Sequence, residues 1–194
     1  VDTLAIERVR DEFYDTKYWN NNQKVGEYGI KEYYMKQIET YFTDDGQTTG
    51  FKTIFDKMMV SGLQELMKDP SSDSAKAQFV GTASTLTEYF RNLAGNMQEL
   101  QRDVNKEIKL KVDEINSLAG EIATLNTQIN VVELSGSKAN ELRDRRNVLL
   151  DQLSEIVDIH VTETPIADAN DPERVTGANR FLVKIGGEQL LVDT

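Results

Sequence analysis

Between about Ala75 and Leu134 the apolar side chains keep a helical spacing for longer than an ordinary globular helix requires. Leu93, Met97, Leu100, Val104, Ile108, Val112, Ile115, Leu118, Ile122, Leu125, Ile129 and Val132 follow one another at steps of three or four. Such steps put successive side chains on one side of an α-helix. From Val112 onward they alternate toward the ~3.5-residue mean of a coiled-coil seam. At a rise of about 1.5 Å per residue, roughly 60 residues would reach about 90 Å, several times the usual helix length. The earlier half presents a broader stripe, Phe79, Val80, Ala83, Leu86, Phe90, Leu93 and Met97, which calls for two neighbours rather than one. After a compact turn at Ser135-Gly136-Ser137, a return helix over Lys138–Val157 offers Leu142, Leu149, Leu153 and Ile156 to the same seam. The two form an antiparallel helical hairpin.

The remaining segments attach to that hairpin. Val1–Arg10 is compatible with an extended segment or with the start of a helix. Asp11 to Phe42 has the spacing of a helix with one polar and one apolar half, weakened by Gly26 and Gly29 at up to about 1 kcal/mol each. Asp44-Asp45-Gly46 and Thr48-Thr49-Gly50 end it and supply capping hydroxyls for the next helix. That helix lines one face with Phe51, Ile54, Phe55, Met58, Gly62, Leu63 and Leu66 and stops near Lys68. Asp69-Pro70-Ser71-Ser72 forces the break, and Ser72 or Asp73 is placed to cap the long helix. Past Val157 the period becomes two, with Val157, Ile159 and Val161 on one face and Asp158, His160 and Thr162 on the other. Pro165 to Gly177 reads as a loop, and Phe181–Ile185, Gly186-Gly187 and Glu188–Val192 as a β-hairpin. The expected fold is mainly α, an elongated helical rod or bundle over 1–157, with a small C-terminal β part over 158–194 that begins a β-domain.

Function classes are narrowed by what the residues lack. A net charge of −11 repels nucleic acid and anionic membranes, and no basic stripe offsets it. Cysteine is absent, which removes disulfides, thiolate nucleophiles and thiolate metal sites. No run of about 18 apolar residues exists. Val1-Asp2-Thr3 shows neither an initiator Met nor a signal-peptide pattern, so the chain reads as a fragment. His160, the single histidine, has Asp158 and Glu163 nearby, yet zinc needs three or four ligands, and His160-Val161-Thr162-Glu163 is not H-E-x-x-H. Pairs such as Asp113/Glu114 and Asp11/Glu12 are expected by chance among 33 acidic residues and sit on solvated helical faces. Neither glycine turn has the spacing or lysine of a phosphate loop. The reading is therefore no enzyme, no cofactor and no metal.

Two clusters point to contacts rather than chemistry. Tyr14, Tyr18, Trp19, Tyr28, Tyr33, Tyr34, Tyr41 and Phe42 crowd one region of a chain that is 8% aromatic overall, and such side chains favour both cores and protein interfaces. Asp144, Arg145 and Arg146 read as a solvated charged face. Composition and spacing leave open an intracellular coiled-coil scaffold or adaptor.

The ordered blocks go further. Val112-Asp113-Glu114-Ile115-Asn116-Ser117-Leu118-Ala119-Gly120-Glu121-Ile122-Ala123-Thr124-Leu125-Asn126-Thr127-Gln128-Ile129 resembles the pattern V-D-E-I-N-x-L-A-x-x-I-A-x-L-N-x-Q-I. Asn140, Leu142, Asp144 and Arg146, then Leu149-Leu150-Asp151-Gln152-Leu153-Ser154, resemble N-x-L-x-D-x-R-D-x-L-L-D-x-L-S, with Asn147 replacing the second Asp of D-x-R-D. Arg8, Asp11 and Phe13 resemble an R-x-x-D-x-F opening, Asp69-Pro70 an N-P break, and Ile185-Gly186-Gly187-Glu188-Gln189-Leu190-Leu191-Val192-Asp193 an I-G-G-x-x-L-V-D ending. Together they resemble the bacterial flagellar hook-associated protein 1 family of hook–filament junction proteins. The resemblance implies a non-enzymatic structural protein, exported by the flagellar type III apparatus to the extracellular flagellum. Its implied neighbours are the hook protein, the second junction protein and copies of itself in a ring. It also implies that the terminal polymerisation helices lie outside this chain and that the fragment is mostly monomeric. A C-terminal helix of the whole protein would pack on the rod, and without it an apolar groove should be exposed.

Overall fold

The computed structural model describes residues 12–169, 171 and 173–194. The opening segment 1–10, with Arg8, lies outside them, as do Asp11 and the loop positions Asn170 and Pro172. The element order is α1 (Glu12–Tyr41), α2 (Phe51–Asp56), a π-helical stretch (Lys57–Gly62), α3 (Leu63–Lys68), α4 (Asp73–Leu134), α5 (Asn140–Ile156), β1 (Ile159–Ala167), β2 (Val175–Ile185) and β3 (Gln189–Asp193). The continuous seam becomes one uninterrupted helix of 62 residues. The described residues group into two compact units, one formed by 12–30 with 108–194 and the other by 31–107. Helices α1 and α4 each contribute to both.

In the first unit the α4–α5 hairpin closes through Gly136, whose φ of +85° is the left-handed conformation glycine adopts freely. Ile122, Ile129, Leu150 and Leu153 are fully buried along it. The return helix therefore presents Leu150 where the sequence pattern chose Leu149, which is only partly buried. The sheet is antiparallel in the order β1-β2-β3. Its inner face, Ile159, Phe181, Val183 and Val192, joins Trp19, Leu118, Ile122, Leu150 and Leu153 in one core cluster. The period of two holds, since His160 is exposed between buried Ile159 and half-buried Val161. Gly186 and Gly187, at φ +59° and +76°, supply the two positive angles of a tight hairpin turn, closed by Glu188 N donating to Ile185 O at 3.2 Å. The expected loop from Pro165 is shorter than its composition suggests. β1 continues to Ala167 past an irregularity between Pro165 and Ala167, and β2 resumes at Val175. Proline at a bulge is compatible with an edge strand because the missing N–H is needed least there.

Within the second unit the helix expected over 51–68 is not uniform. Its middle, Lys57–Gly62, is π-helical, so the face of Phe51, Ile54 and Phe55 does not continue in 3.6-residue register into α3. Gly62 packs on α4, where a Cβ would lie 3.4 Å from Phe79 Cδ2. Capping of α2 falls not to the threonine hydroxyls at positions 48 and 49 but to Asp44, which accepts from Thr53 N (2.8 Å) and Thr53 Oγ1 (2.7 Å). Those bonds hold the Asp44 carboxyl below its usual range. Gly50 must be glycine for the same reason, since a Cβ would sit 2.6 Å from both Asp44 Cβ and Thr43 O. Ser72 caps α4, its Oγ accepting from Ala75 N at 3.2 Å.

Candidate functional site

Among the described residues, buried Asn126 and Arg146 and their partner Glu163 hold the sheet against the helical hairpin. Glu163 is the third member of the inner-facing row Ile159, Val161, Glu163, and it is paired across strands with Phe181. A carboxylate on that face needs a cation, and α5 supplies two from one side of the helix. Arg146, 2% exposed, places its guanidinium 3.8 Å from the Phe181 ring centroid, donates to Asn126 Oδ1 at 2.5 Å and pairs with Glu163 at 2.6 Å. Arg143 bridges Glu163 (2.8 Å) and Glu133 (2.6 Å). Hydrogen bonding to Glu133 raises the Arg143 pKa above its ordinary value, and the same bond lowers that of Glu133. Glu133 also accepts from Ala139 N at 3.3 Å, capping α5 where Ala139 has no side chain to do so. Removing Glu163 from the buried Arg146 would cost about 3–5 kcal/mol, because that charge would be stranded, whereas Arg143 keeps a second carboxylate when either of its partners is lost.

Two asparagines one turn apart on α4 extend the lock. Asn130 donates to Asn179 O and accepts from Asn179 N, both at 2.9 Å, so its amide stands in for a strand partner of β2. Asn126 donates to Thr194 O at 3.2 Å. Gly177, at φ +95°, lets β2 pass over the end of α4, where a Cβ would lie 2.7 Å from Glu133 O. On the far side of α5, Trp19 Nε1 donates to Asp151 Oδ1 at 2.8 Å, and Asn22 donates to Asp151 O (2.9 Å) and Ser154 Oγ (3.0 Å). Gly26 completes that contact, since a Cβ there would be 2.0 Å from Glu155 O. Its role is close approach of two helices, beyond the loss of helix propensity read from sequence.

The residues singled out from sequence separate accordingly. Trp19 and Arg146 are buried within the chain, so neither is placed to touch a neighbour, and Arg146 departs from the solvated face expected of it. Asn140 is half-buried at the first residue of α5, and Asp144 is exposed. Phe13 and Tyr18 are exposed, with Lys17 Nζ over the Phe13 ring at 4.3 Å. Sequence reasoning does not pick out Glu133 or Arg143; it names Glu163 only as a neighbour of His160, and Asn126 only within the quoted pattern. The available signals were Arg143 and Arg146 three apart on one helical face, and an acid in the inner row of a strand. His160 lies on the outer face with Lys184 opposite it on β2. Among the described residues no group of three or more metal-ligating side chains occurs, and no helix is long and apolar enough to cross a membrane.

The second unit has its own contacts. Phe51 stacks on Phe55 (5.4 Å between centroids) and meets Phe90 (5.8 Å), all three partly exposed. The Tyr34 hydroxyl donates to Glu107, which pushes the phenol pKa up to about 12. The turns at Asp44–Gly50 and Asp69–Ser72 are held by their own aspartates: Asp45 accepts from Gln47 N and Thr48 N, and Asp69 from Ser71 N and Oγ.

Comparison with known proteins gives concordant results. A family model described as the flagellar hook-associated protein FlgK helical domain matches residues 35–194. The flagellar hook-associated protein 1 of Bacillus subtilis (strain 168) is 32% identical over 160 residues, which is 81% of this chain and 31% of that protein. The protein of the same name from Escherichia coli (strain K12) is 31% identical over 104 residues, 53% of this chain and 19% of its own length. The chain thus spans less than a third of the curated relatives it matches. The solved structure of the flagellar hook junction protein FlgK from Burkholderia pseudomallei superimposes with a TM-score of 0.73 at 21% identity, over 91% of this chain and 28% of that one. That likeness shows the fold.

Proposed function

Because this chain belongs to the flagellar hook-associated protein FlgK helical-domain family, we propose that it is part of a structural, non-enzymatic protein of the bacterial flagellum that joins hook to filament. The observation that carries the reading is the family match across residues 35–194. In this reading residues 1–157 are the helical rod and 158–194 open the outer β-domain. The neighbours are the hook protein on one side, a second junction protein on the other and further copies around a ring. Export runs through the flagellar type III apparatus to the extracellular flagellum, and the chain alone is mostly monomeric.

The physical demand on such a connector is to hold its shape between a bending hook and a stiffer filament. Buried ion pairs and helix-to-strand hydrogen bonds such as those of Arg146, Glu163 and Asn130 support that role, since each must be broken before sheet and hairpin separate. Contacts with neighbours are assigned to exposed Phe13, Tyr18 and Asp144 and to the turns Asp44–Gly50 and Asp69–Ser72, with Arg8 and Asp11 as further candidates from the sequence pattern. Immunogold electron microscopy on intact flagella, with antibody raised against this chain, tests the reading. A narrow band of label between hook and filament is the expected result. Label along the filament would indicate a flagellin-like axial subunit, and label only in lysed cells an intracellular scaffold.

A further inference from the structure

Along residues 51–68 one row turns inward at a constant step of four: Ile54, Met58, Gly62 and Leu66. Ile54 and Gly62 are buried and Met58 and Leu66 half-buried, whereas Ser61 and Glu65 are exposed. A regular α-helix would give a different order. At about 100° per residue, steps of four drift by roughly 40° each, so Leu66 would end about 120° around the helix from Ile54. Ser61 and Glu65, seven and eleven residues on, would instead stand within about 20° of it. The π-helical stretch Lys57–Gly62 removes the drift, because turns closed from i to i+5 take more residues per revolution. Leu63 N, just past it, still reaches back five residues to Met58 O. Between Ile54 and Leu66 the helix therefore holds one residue more than three α-helical turns need.

That excess is not tied to one place by geometry. A wide turn set earlier or later between the two anchors leaves Ile54 and Leu66 in the same mutual relation. What marks its present place is a glycine: a Cβ on Gly62 would lie 3.3 Å from Lys57 O, 3.4 Å from Phe79 Cδ2 and 3.7 Å from Thr82 Oγ1. The space against α4 thus suits a very small residue, and the next one along the chain to reach it is also small. If the wide turn moves toward Leu66, residues 58–62 turn about the axis by growing angles, reaching about 100° at Gly62, and Ser61 takes the place that Gly62 leaves. Its hydroxyl then faces Thr82. Met59 and Val60, 40% and 50% exposed, have little packing to lose in the rotation.

We propose that the helix over 51–68 is a register switch, in which the wide turn moves between Lys57–Gly62 and the turn that follows, Ser61 exchanging with Gly62 against Phe79 while Ile54 and Leu66 stay in place. The exchange reorients Met59 and Val60 without undocking the helix, so a neighbour that grips those side chains selects one register. The proposal goes beyond the flagellar reading and does not rest on it.

Helix register shifts run on the microsecond-to-millisecond scale, and the methionines report on them. The test uses the chain as described, carbon-13 labelled at its methionine methyls, and methyl relaxation dispersion. Met58 and Met59 should show dispersion, and Met97, half-buried on α4, should not. Deleting Ser61 shortens the interval from Ile54 to Leu66 from twelve residues to eleven, three α-helical turns to within about 20°. That variant should keep its helical circular dichroism and lose the dispersion at Met58 and Met59. Gly62→Ala, which adds a Cβ where the π turn brings Lys57 O close, should raise the fitted population of the shifted register. Flat profiles at both methionines of the parent would overturn the proposal. Equal dispersion at Met97 would overturn it as well, by making the motion an opening of the surrounding helices. Dispersion that survives the deletion, a deletion variant that fails to fold, or a population that falls in Gly62→Ala would each contradict the count of one residue in excess.

Discussion

Gly26 and Gly29 are one turn apart on α1 and look equivalent in the sequence, yet the space around them differs completely. A Cβ at Gly26 would lie 2.0 Å from the backbone oxygen of Glu155, whereas at Gly29 nothing stands within 4 Å. Backbone cannot yield as a flexible side chain can, so Gly26→Ala must push α1 off α5 and weaken the Trp19–Asp151 and Asn22–Ser154 bonds made beside it. Gly29→Ala removes only the conformational freedom of glycine in a helix. Urea titration should therefore show Gly29→Ala more stable than the parent by about 0.5–1 kcal/mol, and Gly26→Ala less stable by about 1–3 kcal/mol. If both changed stability in the same direction, the close approach of these helices would be wrong. Arg146 makes the complementary point about legibility. Flanked by Asp144, Arg145 and Asn147, it looks solvated in the sequence, and what buries it is an acid on β1 and a ring on β2, partners no local window contains.

Elements whose signals are local were the legible ones. The seam gave α4 to within two residues of its start, the Asp69–Ser72 break fell where proline and Ser72 require it, and the paired glycines gave the β-hairpin. Where registration depends on another element, the pattern ran out. The π-helical stretch at Lys57–Gly62 slips the apolar face relative to a 3.6-residue count, and a pattern of single period does not contain it. Capping by Asp44 from nine residues upstream of Thr53 was hidden for the same reason. The α4–α5 connection supplies a test at this scale. Glu133 is acceptor to Arg143 and to the first turn of α5 at once. Its folded pKa is lowered, so its contribution is fully present above the ordinary value of about 4.3 and is lost as pH falls through the folded value. Glu133→Gln should cost about 1–3 kcal/mol at pH 7, with the gap between the two proteins closing under acid conditions below that ordinary value. A gap that stayed constant down to strongly acid pH would show that charge on Glu133 plays no part.

For the molecule as a whole, apolar burial is shared unequally between the two compact units. The core cluster of Leu118, Ile122, Leu150, Leu153, Phe181 and Val183 belongs to residues 12–30 with 108–194, as do the buried ion pairs of Arg143 and Arg146. In residues 31–107 the buried hydrophobic side chains, among the described residues, are Ile54 and Leu100, while Phe51, Phe55, Met59, Val60 and Phe90 remain substantially exposed. At about 25 cal/mol per Å² of apolar surface removed from water, such a difference makes the second unit the less stable of the two. Helix is present in both, but the single tryptophan, Trp19, is buried in the first. The two optical probes therefore report different things. Urea unfolding followed by far-ultraviolet circular dichroism should begin at lower denaturant than unfolding followed by Trp19 fluorescence, and amide exchange should be faster over residues 31–107 than over 118–154 and 159–192. Coincident transitions by both probes would mean that the chain unfolds as one cooperative unit. In that case the surface left exposed on α2, α3 and the early part of α4 would weaken the whole molecule equally rather than one part of it.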